Sequence, residues 1–332
     1  MVGVGWLDGQ GALTVEEIRR ESLEAEPRIR EYIRETPLEP SPWLSRLGDC
    51  HVYLKLENLQ TTGSFKLRGA ANRLLTLGPK EKANGVVTAS TGNHGSAVAY
   101  LLQALGWPGT IYVPNTISAA KLGALERLEA NLELHGDDGV ETEIRARQVA
   151  QGSSRYYVSP YNDLQIIAGQ GTVALEIERQ LEDVEVVVVP VGGGGLISGI
   201  AGVLKAVQPE TEIVGCQPTN SSVMHHSIQA GHLVKMDSQP TLADGAAGGI
   251  ESDAITFPIC QQHVDRFVLV SEEEIRQAVR HILEKHHLLI EGAAALSVAA
   301  FLQQIEHFRG KRTVLVLSGA KISLETLRSV LD

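Results

Sequence analysis

The sequence has little cysteine and none of it is clustered: Cys50, Cys216 and Cys260 form no CxxC pair, and no histidine lies at metal-ligand spacing from them. Neither a zinc site nor a disulfide framework is indicated, and a reducing cytoplasm is the expected compartment. Basic residues are also short, 29 Lys and Arg against 40 Asp and Glu, a formal charge of -11. Without a clustered basic patch to release counterions, a nucleic-acid partner is excluded. No apolar run of about 20 residues could span a bilayer, and the opening MVGVGWLDGQGALTVEEIRR lacks a positive stretch followed by an apolar one, so neither export nor a membrane is expected. Repeats, low-complexity segments and Pro-Ser linkers are missing too. What remains is an ordinary globular composition, 43% hydrophobic and 21% charged over 332 residues, enough for two lobes or one large domain.

The pattern along the chain alternates strand and helix. Thr14 to Thr36 reads as a helix with Thr14 and Glu17 as its capping box, and Pro37 to Pro42 breaks it. His51 to Leu56 reads as a strand. GVVTAS, TIYVP and NLELHG read as strands separated by helices, the βαβ rhythm of a parallel sheet. Together, residues 85–154 make a small α/β lobe. VEVVVVPV (Val184 to Val191) is a continuous β-branched run suited to a strand buried on both faces. EIVGCQ, FVLVS and TVLVLSGA add strands; Ile166 to Glu182, Glu272 to His286 and Gly292 to Ile305 add helices. The expected division is 1–84 with 155–332 as a large domain and 85–154 as a small one.

Four stretches carry chemistry. In ENLQTTGSFKLRGA, Thr61 to Ser64 read as a turn and helix N-cap, which puts Lys66 in the first helical turn, the end a cation disfavours. That terminus lowers the lysine pKa and makes a free amine available for a Schiff base. The plain alternative is an exposed lysine followed by an arginine. Gly192-Gly193-Gly194-Gly195-Leu196 follows a buried strand and opens a helix, where backbone NH groups and the helix dipole suit a phosphate. A dinucleotide site would want an acid at the end of the next strand; EIVGCQP ends without one, so a single phosphate is the better reading. Ser90-Thr91-Gly92-Asn93-His94 starts another helix and suits a carboxylate, with an elaborate N-cap as an equal alternative. Ser318 ends the last strand, at the edge where open α/β sheets place ligands; Asp244-Gly245 reads as a turn and Glu291 as an anion at a helix start.

An amine, a phosphate cradle, a carboxylate cradle and a strand-end hydroxyl suit pyridoxal 5'-phosphate with an amino acid. Through GSFKLRGA, STGNHG, VGGGGLISG, ADG, IEGAA and LSGA, in order from Gly63 to Ala320, the chain resembles the fold type II pyridoxal phosphate enzymes, and among them the threonine/serine dehydratase and serine racemase group. The resemblance implies an α/β fold of two open, twisted, mainly parallel sheets flanked by helices, and a homodimer. It implies that Lys66 holds the cofactor and moves the α-proton, that Phe65 packs beside the ring, that Asn93 meets its phenolic oxygen, and that Gly192 to Leu196 hold its phosphate. Gly245 and Glu291 complete the cofactor contacts, and Ser318 meets the ring nitrogen. Ser90, Thr91, Gly92, Asn93 and His94 would take the substrate carboxylate, with Tyr161 at the border of the substrate site. A neutral Ser318 hydroxyl does not keep the ring nitrogen protonated, which favours β-elimination over transamination.

Departures from the family pattern narrow the expectation. Thr91 stands where serine racemases place a second acid/base serine. Gln217, Ser221 and Val223 occupy the positions of the metal-binding set in metal-activated members, and without the two carboxylates no divalent cation is expected. Tyr161 and Lys321 alter the border of the site and suggest a substrate other than plain serine. The chain ends soon after the LSGA strand, which fits a catabolic enzyme without a regulatory domain. The expected reaction is β-elimination from a threonine- or serine-like or larger 3-hydroxy amino acid, giving keto acid and ammonia; an amino-acid racemase, a β-replacement synthase and a non-catalytic phosphate- or dinucleotide-binding module are the alternatives. TASTGNHG and LLIEGAAALSVAA are most similar to dehydratases of hydroxyectoine breakdown. For a dianionic substrate, Lys121 is the candidate extra cation.

Overall fold

The structure is a computed structural model that describes residues 13–332; the reading of the opening stretch for an export signal falls mainly on residues 1–12, outside the described ones. Ten strands are described: β1 Leu38–Pro40, β2 His51–Lys55, β3 Val86–Ala89, β4 Gly109–Val113, β5 Leu132–Leu134, β6 Tyr156–Tyr157, β7 Val186–Pro190, β8 Glu212–Pro218, β9 Arg266–Val270 and β10 Arg312–Val316. They form a six-stranded sheet in the order β1-β2-β10-β7-β8-β9 and a four-stranded sheet in the order β5-β4-β3-β6. All neighbours are parallel except β1 with β2. The four-stranded sheet takes its last strand from Tyr156–Tyr157, beyond residue 154. Among the described residues, no helix is long and apolar enough to cross a membrane.

The β-branched run becomes β7, buried along its whole length between β10 and β8. Its side chains alternate between two cores. Val186 and Val188 pack with the small residues of the helix Gly292–Gln303, while Val187 and Val189 pack with the helices Leu164–Gln180 and Gly195–Lys205. This is the burial on both faces that a parallel sheet requires.

The helix Lys66–Leu75 joins the sheets. Leu67 and Leu74, both fully buried, pack with Val86, Val98 and Leu101 beside the four-stranded sheet, each contributing about 2 kcal/mol by burial. Its other side meets Leu164–Gln180 where backbones nearly touch: a Cβ on Gly169 would lie 2.6 Å from the carbonyl oxygen of Arg68. The register of Lys66 is therefore set by close packing against both halves of the molecule.

The first helix has the expected capping box, Thr14 with Glu17, but it runs only Val15–Ile29 rather than to Thr36. Thr36 turns inward, where its hydroxyl donates to Glu57 Oε1 at 2.6 Å and its backbone NH to Glu176 Oε2 at 3.1 Å.

Candidate active site

The loops after β2, β10 and β7, three neighbouring strands, converge at the carboxyl edge of the large sheet. The backbone of residues 63–65 is laid along the outgoing end of β10: Phe65 N donates to Ser318 O at 3.1 Å, Ala320 N donates to Gly63 O at 2.9 Å, and Ser64 bridges to Gly319. This pairing corrects the expected cap. Phe65, not Ser64, occupies the N-cap position, and among the described residues no side chain caps the helix and the buried Ser64 hydroxyl has no partner. Lys66 opens the helix, beside Ser318.

Lys66 Nζ, half-buried, donates to Pro160 O at 2.8 Å and lies 5.2 Å from the centroid of the Phe65 ring. Burial lowers its pKa from 10.5 to about 8, partly offset by the Glu291 carboxylate. The lowered value agrees with expectation, but its principal cause is desolvation rather than the helix terminus. His94 is buried, its Nε2 at 3.0 Å from Val158 O, and burial with the nearby Lys66 charge lowers its pKa to about 3. It is neutral at every physiological pH.

Glu291 stands at the N-cap position of Gly292–Gln303 without capping it. Its carboxylate instead accepts from Asn93 Nδ2 at 2.8 and 3.0 Å and from the backbone NH of Lys321 at 3.0 Å. Burial raises its pKa to about 7, against the pull of Asn93. Gly319 and Gly245 press against it; a Cβ on Gly319 would fall 2.5 Å from Glu291 Oε1, and one on Gly245 3.3 Å from the same atom. Asn93, Gly245, Glu291 and Gly319 thus meet across the gap between the two sheets.

Ser90 and Thr91 lie in the half-buried turn after β3. Ser90 Oγ accepts from Gly92 N at 3.2 Å, yet Gly92 holds the N-cap position and no side chain caps the following helix. The elaborate-cap alternative therefore fails, and the amides at this helix start stay available to an anion. The glycine loop is open in the same way. Gly194 caps its helix with φ +88°, a left-handed conformation that favours glycine, and among the described residues no amide from Gly192 to Leu196 donates to a protein group. Thr256 Oγ1 donates to Gly193 O at 2.7 Å. Tyr161 lies over the loop, its ring so close that a Cβ on Gly193 would approach it to 2.4 Å.

Two other groups of residues escaped the sequence reading. Pro160 supplies only a carbonyl, which no side-chain motif can signal. Lys55, Glu57, Arg68 and Glu176 form a fully buried ionic network, with Arg68 forked onto both carboxylates at 2.7–2.8 Å and Lys55 Nζ 2.7 Å from Glu176. A signal existed: Glu176 is an isolated acid after the uncharged run Ile166–Leu175, and Lys55 lies between Leu54 and Leu56 in a strand. Lys121, the candidate extra cation, is exposed and paired with Asp244 at 3.1 Å. Gln217 is engaged with Val191 O and His225 N, and Ser221 Oγ with Ser238 Oγ.

A weakly basic amine and two sets of unpaired amides make a site for a carbonyl compound carrying a phosphate, at which protons are exchanged on an adjoining carbon. The chain belongs to the pyridoxal-phosphate dependent enzymes, whose family pattern matches residues 29–319, and pyridoxal 5'-phosphate is its cofactor. The residues fit that group: among the described residues the glycine-loop amides are free for its phosphate and the buried Asn93 Oδ1 has no partner, and the Lys66 amine is lowered to about 8, so that it loses its proton more readily than an ordinary lysine.

Over 320 residues the chain is 39% identical to an L-threonine ammonia-lyase of Thermotoga maritima, covering 96% of this chain and 78% of that one. In structure it is similar to the processed form of threonine deaminase isoform 2 from Solanum lycopersicum, with a TM-score of 0.90, 31% identity and coverage of 98% and 90%. Maize serine racemase is similar at a TM-score of 0.88 with 28% identity, covering 94% of this chain and 96% of that one.

Proposed function

We propose that the protein is an ammonia-lyase that converts a β-hydroxy amino acid, of the threonine or serine type or larger, to a 2-keto acid and ammonia. The observation that carries this reading is the pairing of the Phe65 amide with the Ser318 carbonyl oxygen at 3.1 Å, which brings the residue before the reactive lysine against a strand end that offers a neutral serine rather than a carboxylate. The curated relative named above as an L-threonine ammonia-lyase supports the same direction.

When bound, pyridoxal phosphate supplies an aldehyde for the amine and a ring that draws electron density from the substrate's α-carbon. Gly192, Gly193, Gly194, Gly195 and Leu196 would bind the phosphate through their amides. Phe65 would pack beside the ring, Asn93, Gly245 and Glu291 would complete its contacts, and Ser318 would meet its nitrogen. Ser90, Thr91, Gly92, Asn93 and His94 hold the substrate carboxylate; neutral His94 adds no charge there. Lys66 takes the proton from the α-carbon, the β-hydroxyl leaves with that proton as water, and a second water hydrolyses the resulting free imine to the keto acid and ammonia. Thr91 keeps a hydroxyl near the α-carbon, and Tyr161 limits the room for the substrate side chain.

In this reading residues 85–154 form the substrate-carboxylate unit and residues 1–84 with 155–332 the cofactor unit. The three cysteines are free and buried, in keeping with a reducing cytoplasm, and a homodimer follows from the family resemblance. The test is a panel of L-threonine, L-serine and larger 3-hydroxy amino acids, with keto acid, ammonia and D-enantiomer measured together. Keto acid with equimolar ammonia supports the proposal; D-amino acid without keto acid overturns it in favour of a racemase.

A further inference from the structure

The segment from Val158 to Asn162 joins the last strand of the four-stranded sheet to the helix Leu164–Gln180, and three of its residues touch the site. Val158 O meets His94 Nε2 at 3.0 Å, Pro160 O accepts from Lys66 Nζ at 2.8 Å, and Tyr161 lies against the glycine loop, its ring over Gly193 and its Cβ beside Gly195. The outward contacts of this segment converge on Glu251, in the segment before the helix Thr256–His263. Its carboxylate accepts from Asn162 Nδ2 at 2.9 Å and from Ser159 Oγ at 3.4 Å, and its backbone NH donates to the Tyr161 hydroxyl oxygen at 2.8 Å. Ser159 Oγ in turn accepts from Asn162 N at 3.0 Å, and Asn162 Oδ1 accepts from Ile255 N at 2.9 Å.

The remaining partner comes from the other sheet. Arg147, on the helix Gly139–Ser153 that covers the four-stranded sheet, reaches Glu251 Oε1 at 2.7 Å while its guanidinium stacks 4.2 Å from the centroid of the Tyr157 ring. The Glu251 side chain is only 17% exposed, so this ion pair is shielded more than a surface one. Neither residue touches the amine. Both act on it through the one loop whose carbonyl receives the Lys66 ammonium and whose aromatic ring covers the glycine cradle.

We propose that Glu251, held by Arg147, is a positioning residue: the pair fixes the Ser159–Asn162 loop so that the Pro160 carbonyl aims the Lys66 amine and Tyr161 shields it from water. This rests on the reading of Lys66 as the cofactor-bearing lysine. It adds a contact between the two sheets on which the aim of that amine depends, and it predicts that removing a charge remote from the amine changes the amine itself.

The experiment uses the full-length protein, first stripped of cofactor and then reloaded with pyridoxal phosphate. In the stripped protein, carbamylation by cyanate as a function of pH, followed at the Lys66 peptide by mass spectrometry, reads the amine without turnover. The native midpoint is expected near pH 8, the value to which burial lowers the amine. Glu251→Ala moves it up by about one unit or more, because water reaches the amine once the loop is released. Glu251→Gln, which still accepts from Asn162, reverses at least half of that shift. In the reloaded enzyme Glu251→Ala lowers kcat by about tenfold or more with a smaller change in KM, as expected when orientation rather than binding is lost. Arg147→Met and Glu251→Gln each cause a smaller loss than Glu251→Ala, similar to one another, and their combination is no worse than either alone.

An unchanged carbamylation midpoint in Glu251→Ala, or additive losses in the double variant, overturns the proposal. Lys66→Ala separates the two readings. If it retains the visible cofactor band after reloading, Lys66 is not the cofactor lysine and both readings fall; if it loses the band while Glu251→Ala keeps the native midpoint, only the positioning proposal falls.

Discussion

Lys66 and Arg68 stand two residues apart on one helix and occupy opposite electrical surroundings. Arg68 is fully buried and answered on every side: Glu57 and Glu176 take both edges of its guanidinium, and Thr172 Oγ1 accepts from it at 3.2 Å. Burial opposes the charge of Glu176, yet Arg68 and Lys55 hold its pKa down to about 2. Around Lys66 the balance is reversed. Burial takes the lysine down to about 8 and Glu291 up to about 7, and neither group has a partner that restores its full charge. Burial is common to both regions; compensation is not. A compensated set of charges fixes structure, whereas an uncompensated one is left able to exchange protons near neutral pH.

The sharpest way to break this contrast is to exchange the consequences of the two residues. Lys66→Ala should abolish the cofactor band and lower turnover on the order of 10³-fold or more, while the urea midpoint of the cofactor-free protein stays nearly constant. Arg68→Met should do the opposite, costing about 3–5 kcal/mol in urea unfolding by stranding two buried carboxylates. A cost below about 1 kcal/mol would mean that the network is not closed.

A smaller effect separates the regions by pH. Glu176 has a folded pKa depressed below its ordinary 4.5, so its stabilisation is present above 4.5 and is lost as pH falls towards about 2. Glu291 has a raised one, so its favourable contribution belongs to the protonated form, is full below 4.5 and disappears as pH rises to about 7. Urea midpoints of Glu176→Gln and Glu291→Gln across this range should flatten opposite limbs of the stability profile; flattening of the same limb by both would erase the distinction. Least of all, Lys121→Ala, which breaks an exposed pair with Asp244, should change stability by less than about 1 kcal/mol, and less still in high salt.

The parts legible in the sequence were those governed by local rules. β7 is a β-branched run, the Thr14–Glu17 capping box is written in four residues, and the glycine loop follows a buried strand. Contacts formed across the fold were not legible. Thr36 left its expected helix for carboxylates at positions 57 and 176; Phe65 replaced Ser64 at the N-cap because residues 63–65 pair with the end of β10; Pro160 bonds Lys66 through a backbone atom. The burial of Arg68 was not legible because its partners lie 11 and 108 residues away.

The helices beginning at Lys66, Asn93, Gly195 and Gly292 all start without a side-chain cap, unlike those beginning at Val15, Ala119, Gly139 and Leu164. The folded chain therefore presents orphan amides around a common gap, and an anion that satisfies some of them binds the native state and not the unfolded one. By mass action, cofactor supply then becomes a control on the lifetime of the polypeptide as well as on its activity: at a free cofactor concentration 100 times its dissociation constant the gain is about 2.7 kcal/mol. Scarcity of the vitamin-derived cofactor would leave more chains open to proteolysis, so that enzyme abundance tracks the nutritional state of the cell.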